Sequence, residues 1–88
     1  MSAVIPTIGR PELLRAVDSV LEQSVPVDVV VVLDRPDRED DVRALLGGRP
    51  YRLVLTRGAT GGGNARNLGV ASTETDWVAF LDDDDRWL

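Results

Sequence analysis

The sequence predicts an α/β fold, in which helices alternate with the strands of a mainly parallel sheet of about four strands. Short apolar runs and amphipathic segments follow one another from one end of the chain to the other. The run at residues 27–33 is mostly β-branched and is apolar except at Asp28, which is typical of a parallel strand covered on both faces. Alternation of this kind builds a sheet wound through right-handed crossovers. The 88 residues contain no linker or repeat, so we expect one domain over residues 1–88.

The first half of the chain is expected to contain two strands and two helices. Residues 3–5 form a short apolar strand that leaves the sheet at Pro6. Pro11 suits the first turn of a helix, whose apolar residues recur at spacings of three and four and therefore share one face: Leu13, Leu14, Val17, Val20 and Leu21. The strand at residues 27–33 follows. Acidic residues at 39–41 then favour the start of a second helix, which ends at Gly47 and Gly48.

The second half continues the same alternation. Residues 51–56 predict a third strand, residues 64–71 a short third helix, and residues 77–81 a fourth strand. Trp77 and Trp87 are interpreted as packing residues, because two tryptophans do not make a stacking surface for nucleic acid.

Composition excludes several classes of function. The net charge is −5, and it would be −1 without the four aspartates at residues 82–85, so the acidity is concentrated at one place. We therefore expect no nucleic-acid partner, since phosphates need a basic face. Without cysteine or histidine, there is no disulfide, thiolate site or imidazole base. The longest apolar run, residues 29–33, is too short for a transmembrane segment and no secretory signal is evident, so we expect a cytoplasmic protein.

Polar groups follow each strand at the point where it ends. Pro6 and Thr7 follow the first strand, Asp34 follows the second, and residues 82–85 follow the fourth. The third strand is followed by a glycine-rich loop at residues 57–63, which leads into a helix. Ligands of wound sheets bind in the crevice beyond the carboxyl ends of the strands, so these groups are candidates for one site.

Each of these features has two interpretations. Asp82 and Asp84 can point their carboxylates toward a common Mg²⁺ or Mn²⁺, or residues 82–85 can be a solvated acidic tail. The three glycines at 61–63 either bind phosphate at a helix N-terminus or form a flexible connection. Asp34 either caps a loop or accepts a hydrogen bond from a base or ribose. Arg66 either faces the same rim or is solvated.

Taken together, the motifs resemble the N-terminal half of family 2 glycosyltransferases. The residues that carry the resemblance are "VIPTIGRPELLRAVDSVLEQ", then "VVVVLD", then "GGGNARNLGVASTETDWVAFLDDDDRWL". The resemblance implies the Rossmann-like half of a GT-A fold and an inverting transfer of sugar from a nucleotide-diphospho-sugar donor to an acceptor hydroxyl. It implies that Pro6 and Thr7 lie against the nucleotide, that Asp34 contacts the base, and that Arg66 lies beside the nucleotide pocket.

The aspartates correspond to the metal-binding D-x-D motif of that family. The resemblance implies that Asp84 ligates Mn²⁺ or Mg²⁺ directly, that Asp82 holds the ribose or the metal shell, and that Asp83 belongs to the nucleotide site. The dication would bridge the diphosphate and stabilise its developing charge.

The sequence also departs from the family pattern. After the second strand the family often shows "DDGSTD", whereas this chain has "LDRPDRED". The acceptor-binding half and the general base normally come after the D-x-D motif, so residues 1–88 are expected to be a truncated, donor-binding part with no catalytic base of its own. A sheet edge left open in such a part is expected to promote self-association.

Two other functions remain open from the sequence. A nucleotidyltransferase-like enzyme would share the wound sheet, the metal and the nucleotide, but it would carry a glycine-rich basic signature where this chain has Thr7-Ile8-Gly9-Arg10-Pro11. A non-catalytic binding module or remnant is the third possibility.

Overall fold

The computed structural model describes residues 1–87, and it confirms the α/β fold with a parallel sheet. The four strands described are β1 (Ser2–Thr7), β2 (Asp28–Leu33), β3 (Arg52–Leu55) and β4 (Val78–Phe80). The α-helices among these residues are α1 (Leu13–Leu21), α2 (Glu39–Leu46) and α3 (Gly62–Ala71), and a short 3-10 helix at Pro36–Arg38 precedes α2. None of these helices is long and apolar enough to span a bilayer.

The sheet has the strand order β3-β2-β1-β4, and all three neighbouring pairs are parallel. The chain moves outward from β1 to β2 and β3, and then returns across β1 to form β4 on its other side. The order therefore reverses between β1 and β4. In wound sheets this reversal opens a crevice at the carboxyl ends of the strands, where ligands bind.

Both faces of the sheet are covered, which explains why β2 is apolar at consecutive positions. Ala3, Ile5 and Val31 belong to a buried cluster on the face packed against α1 and α2. Val4, Val30 and Val32 point to the opposite face, where Ala65 of α3 joins them. Successive residues of one strand thus enter different cores, as the alternation of side chains in a strand requires.

The prediction that the first strand leaves the sheet at Pro6 was wrong by one residue. Strand β1 continues to Thr7, and Pro6 pairs opposite Val32 in β2. The N–H of Ser2 donates to Trp77, and the carbonyl of Val4 accepts from Leu81, so even-numbered residues of β1 direct their backbone groups toward β4. Pairing with β4 ends at Val4. The missing N–H of Pro6 therefore costs no ladder hydrogen bond.

The two tryptophans differ in environment. Trp87 packs against the cluster beneath α1, and its backbone N–H donates to the Ser19 hydroxyl at 2.9 Å. Trp77 is 75% exposed, so its interpretation as a packing residue was wrong. It directly precedes the edge strand β4, where there is no further layer among the described residues to cover it.

Candidate functional site

The carboxyl ends of β1, β2 and β4 surround one cleft together with the first turn of α3. Its volume is about 420 Å³. All seven residues expected at the site from the sequence line it, namely Pro6, Thr7, Asp34, Arg66, Asp82, Asp83 and Asp84. A larger concavity of about 980 Å³ lies between α1 and Arg86 with Trp87, away from these strand ends. We place the candidate site in the smaller cleft because the strand ends and the polar groups converge there.

The four consecutive aspartates do not share one environment. Leu81, directly before them, is buried and its N–H donates to Val4 at 3.1 Å, which fixes the start of the acidic segment to the sheet. A turn follows, in which the N–H of Asp85 donates to the carbonyl of Asp82 at 3.0 Å. Within this turn one residue points inward and the other three are exposed.

The inward residue is Asp83, which is 3% exposed. The Thr7 hydroxyl donates to its Oδ2 at 2.6 Å, and Arg10 Nε donates to the same oxygen at 3.2 Å. A second guanidinium nitrogen of Arg10 donates to Oδ1. These contacts with Asp83 raise the pKa of Arg10 above its ordinary value. Asp83 thus joins the end of β4 to the loop after β1.

The three exposed aspartates are Asp82, Asp84 and Asp85, and each can offer an oxygen within 4.8 Å of the oxygens of the other two. Arg66 lies 3.4 Å from an oxygen of Asp82, and Arg10 lies 4.0 Å from an oxygen of Asp84. Two cations therefore offset part of the repulsion between these carboxylates.

The exposed aspartates fit a hard divalent cation. Carboxylate oxygens are the ligands that Mg²⁺ and Mn²⁺ prefer, and Mg²⁺ commonly uses one or two protein carboxylates with water and substrate phosphates. Asp82, Asp84 and Asp85 can converge on one ion because their oxygens lie close together in a solvent-accessible turn. Asp83 is already bonded through both oxygens.

Asp34 fastens the loop between β3 and α3. Its Oδ1 accepts from the hydroxyls of Thr56 and Thr60 at 2.5 Å and 2.6 Å and from the N–H of Thr60 at 3.0 Å, while Oδ2 accepts from the N–H of Gly61 at 3.0 Å. Thr56, Thr60 and these backbone donors hold the pKa of Asp34 well below its usual range, against the opposing effect of desolvation. Asp34 therefore caps this loop, which is one of the two roles that the sequence allowed for it.

The glycine-rich segment forms the start of α3, two residues earlier than the sequence indicated. Gly61 has a φ of +88°, a conformation that favours glycine, and α3 begins at the next residue. A Cβ on Gly62 would lie 3.3 Å from an Nη atom of Arg66, so this side chain folds back over the first turn of its own helix. Gly62 and Arg66 both line the cleft.

Three residues that matter to this arrangement were not among the expected site residues, and one of them is Asp85, whose carboxylate lies close to those of Asp82 and Asp84. Arg10 lines the cleft and pairs with Asp83, although from the sequence it was only part of a loop. Gly69 lies where a Cβ would come within 2.4 Å of Val4 Cγ1, so its lack of a side chain allows α3 to approach the sheet. The small residues Ala65 and Gly69, one helical turn apart, were an available signal for that close approach.

The chain is similar in sequence to one protein family and to several bacterial proteins. Residues 2–88 match the family model of Glycosyl transferase family 2. The chain is 32% identical to the amylovoran biosynthesis glycosyltransferase AmsB of Erwinia amylovora, over 98% of this chain and 31% of that protein. It is 39% identical to the succinoglycan biosynthesis protein ExoO of Rhizobium meliloti, over 83% of this chain and 22% of that protein.

A third relative, the uncharacterized glycosyltransferase EpsJ of Bacillus subtilis, is 28% identical over 97% of this chain and 26% of its own length. The chain thus spans about a third or less of the curated relatives that it matches. The family match extends from the first strand through the acidic turn, so it includes every element that builds the cleft. This chain belongs to glycosyl transferase family 2.

Proposed function

We propose that this chain forms the donor-binding part of an inverting, metal-dependent glycosyltransferase that takes sugar from a nucleotide-diphospho-sugar and transfers it to an acceptor hydroxyl. The observation that carries the proposal is the position of three exposed, mutually close carboxylates at the reversal point of the sheet, beside Thr7, Asp34 and the start of α3. Family membership favours glycosyl transfer over the nucleotidyltransferase-like alternative.

The metal site in this proposal consists of Asp84 and Asp82, with Asp85 as a further ligand. A bound Mn²⁺ or Mg²⁺ would supply positive charge that offsets the charge of a diphosphate leaving group. Asp82 and Asp84 keep their carboxylates accessible at the mouth of the cleft, with exposed fractions of 60% and 55%. Each has an arginine within 4.0 Å, so phosphate oxygens brought to this turn would meet cations as well.

The nucleotide would lie between the end of β1 and the start of α3. Pro6 and Thr7 form one wall of the cleft, and Arg66 forms another. The first turn of a helix such as α3 leaves backbone N–H groups without intrahelical partners, which favours anions. A carboxylate has about four acceptor positions. Oδ2 of Asp34 accepts from Gly61 alone among the described residues, so it retains a position for a donor on a base or ribose.

The proposal assigns donor binding to residues 1–88 and no general base to the described residues. A base must come within hydrogen-bond reach of the acceptor hydroxyl, and the described carboxylates at the cleft already have roles on the donor side. We therefore expect the 88-residue chain by itself to bind a nucleoside diphosphate and to transfer little sugar. A robust transfer rate from the purified chain would contradict this part of the proposal.

Calorimetry with Mn²⁺ and either uridine diphosphate or guanosine diphosphate tests the proposal. We expect binding that depends on Mn²⁺, and we expect Asp84→Asn to weaken it about tenfold or more, since a charged ligand of the ion is lost. Asp40→Asn is the matched control, because Asp40 is an exposed aspartate in the first turn of α2 and does not line the cleft. A folded wild-type chain that gives no metal-dependent heat with either nucleotide would refute the proposal.

A further inference from the structure

The buried aspartate of the acidic turn is bonded to its own chain through both carboxylate oxygens. Asp83 is 3% exposed, and its two oxygens receive the Thr7 hydroxyl and two nitrogens of Arg10. A buried charge is tolerated when it is paired and hydrogen-bonded. Because the Asp83 carboxylate is buried and both of its oxygens are engaged, it is less accessible to a metal ion than the exposed carboxylates of Asp82 and Asp84.

Arg10, in contrast, has donors that its contacts with Asp83 do not use. A guanidinium has five N–H donors in a planar fork, and the contacts with Asp83 use its Nε and one Nη. The side chain is 43% exposed and lines the cleft 4.0 Å from Asp84. One edge of the guanidinium is thus held by Asp83, and its other donors are available at the mouth of the cleft.

The backbone before Arg10 contributes to this placement. Gly9 has a φ of +94°, and its N–H donates to the Thr7 hydroxyl at 3.0 Å, which in turn donates to Asp83. A Cβ at Gly9 would lie only 3.0 Å from Arg38 Cδ. The turn therefore carries Arg10 back over the end of β1, toward the acidic turn. Its orientation is set before any ligand arrives.

We propose that Arg10 contacts the diphosphate of the donor, and that Asp83 is a positioning residue which holds Arg10 there and binds neither nucleotide nor metal. The inference rests on the function proposed above and changes the role expected for Asp83 within it. A guanidinium fork matches phosphate oxygens in two contacts at once. Because Asp83 already restricts the side chain, less conformational entropy is lost on binding than for a free arginine.

The first test measures the binding of inorganic pyrophosphate with Mn²⁺, and of uridine and guanosine diphosphates with Mn²⁺, to the 88-residue chain. We expect Arg10→Gln to weaken all of these about tenfold, with a smaller loss for Arg10→Lys, which keeps the charge but not the fork. Affinity for Mn²⁺ alone should change by less than about threefold, because Arg10 is not a metal ligand. Arg35→Gln is the control, since Arg35 also pairs with an aspartate through two nitrogens but lies outside the cleft lining.

The second test is a double-mutant cycle between Arg10 and Asp83. Asp83→Asn alone should weaken pyrophosphate binding. In the Arg10→Gln background the same substitution should cause no further loss of affinity, because Asp83 acts only through Arg10. Arg10→Gln alone leaves the buried Asp83 carboxylate without its ion-pair partner, and the double variant removes that charge. If Arg10→Gln unfolds, the double variant can still be compared with Asp83→Asn. Circular dichroism melts identify the folded variants.

The outcomes separate this inference from the function on which it rests. If the wild-type chain binds pyrophosphate and folded Arg10→Gln binds it equally well, the role of Arg10 is overturned and the donor site stands. If Asp83→Asn weakens Mn²⁺ binding in the Arg10→Gln background as strongly as Asp84→Asn does, Asp83 is a metal ligand and the positioning role is overturned. If the wild-type chain binds no nucleotide, both proposals fail.

Discussion

At the level of single residues, hydrogen-bond partners divide the five aspartates at and beside the cleft into two kinds. Asp34 and Asp83 are buried and accept from several donors, whereas Asp82, Asp84 and Asp85 are exposed and close to one another. A run of four identical residues gives no indication of which member turns inward. That choice depends on Thr7 and Arg10, which lie more than seventy positions away in the sequence.

Asp34 leads to a prediction about acid sensitivity. The pKa of Asp34 is lower in the folded chain than in the unfolded chain. Its contribution to stability is therefore complete above the unfolded pKa of about 4. This contribution is lost as the pH falls from the unfolded pKa toward the folded pKa. Asp34→Asn removes charged acceptors from Thr56, Thr60 and Gly61, and it should lower the free energy of unfolding by about 2 kcal/mol near neutral pH.

Urea unfolding measured near pH 6 and near pH 3 checks this prediction, because the difference between the wild-type chain and Asp34→Asn should shrink at the lower pH. Asp37→Asn is the control. Its pKa is also lowered, by the side-chain hydrogen bond from Arg35, but the pair is exposed and contributes little to stability. An equal difference at both pH values would show that Asp34 does not act through its charge.

At the scale of elements, the packing of α3 on the sheet positions one wall of the cleft. Ala65 is buried among Val4, Val30 and Val32, and Gly69 lies one turn further along the same face. A Cβ on Gly69 would come within 2.4 Å of Val4 Cγ1 and 2.9 Å of Val32 Cγ2. The helix can approach this closely only because the position has no side chain.

Gly69→Ala should therefore destabilise the chain, although alanine is the better helix former. Overpacking a buried contact costs about 1–3 kcal/mol, more than the gain in helix propensity. Gly63→Ala is the matched control, since no neighbouring atom lies within 4 Å of a Cβ there and α3 should gain up to about 1 kcal/mol. Urea denaturation of both variants provides the measurement, and a neutral effect of Gly69→Ala would mean that α3 can move away from β1 without cost.

The end of strand β1 depends on a neighbouring strand as well as on its own sequence. Proline is normally excluded from an interior strand, so the sequence favoured an exit from the sheet at Pro6. The exception depends on the register between β1 and β4, which ends two residues earlier at Val4. Register is a property of two strands, and neither strand encodes it alone.

At the scale of the whole molecule, the sheet has β3 at one edge and β4 at the other among the residues described. Trp77, directly before β4, and Phe80, within it, are 75% and 48% exposed. An edge strand with exposed apolar side chains is a template for pairing with another chain. Self-association through this edge stays a prediction from the sequence, and the exposure of these two residues gives it a specific location.

Sedimentation over a range of protein concentrations tests that prediction. The apparent mass of the wild-type chain should rise with concentration, and Trp77→Lys should shift it toward the monomer, because a charge beside an edge strand opposes pairing. Val25→Lys is the control, since Val25 is 61% exposed in the loop after α1 and is remote in sequence from β4. A wild-type chain that remains monomeric at every concentration would contradict the prediction.

Local sequence patterns are sufficient to indicate the kinds of element, their order and the positions where polar groups follow strands. These are local properties, because periodicity, β-branching and glycine or proline act within a few residues of the chain. The sequence also indicated seven of the eleven residues that line the cleft, but not Arg10. Three other features become visible only in the folded chain: Asp83 turns inward and pairs with Arg10, Asp34 fastens the loop before α3, and α3 packs on the sheet at Gly69. Each of these depends on contacts between distant segments, and such contacts exist only once the strand order and register bring those segments together.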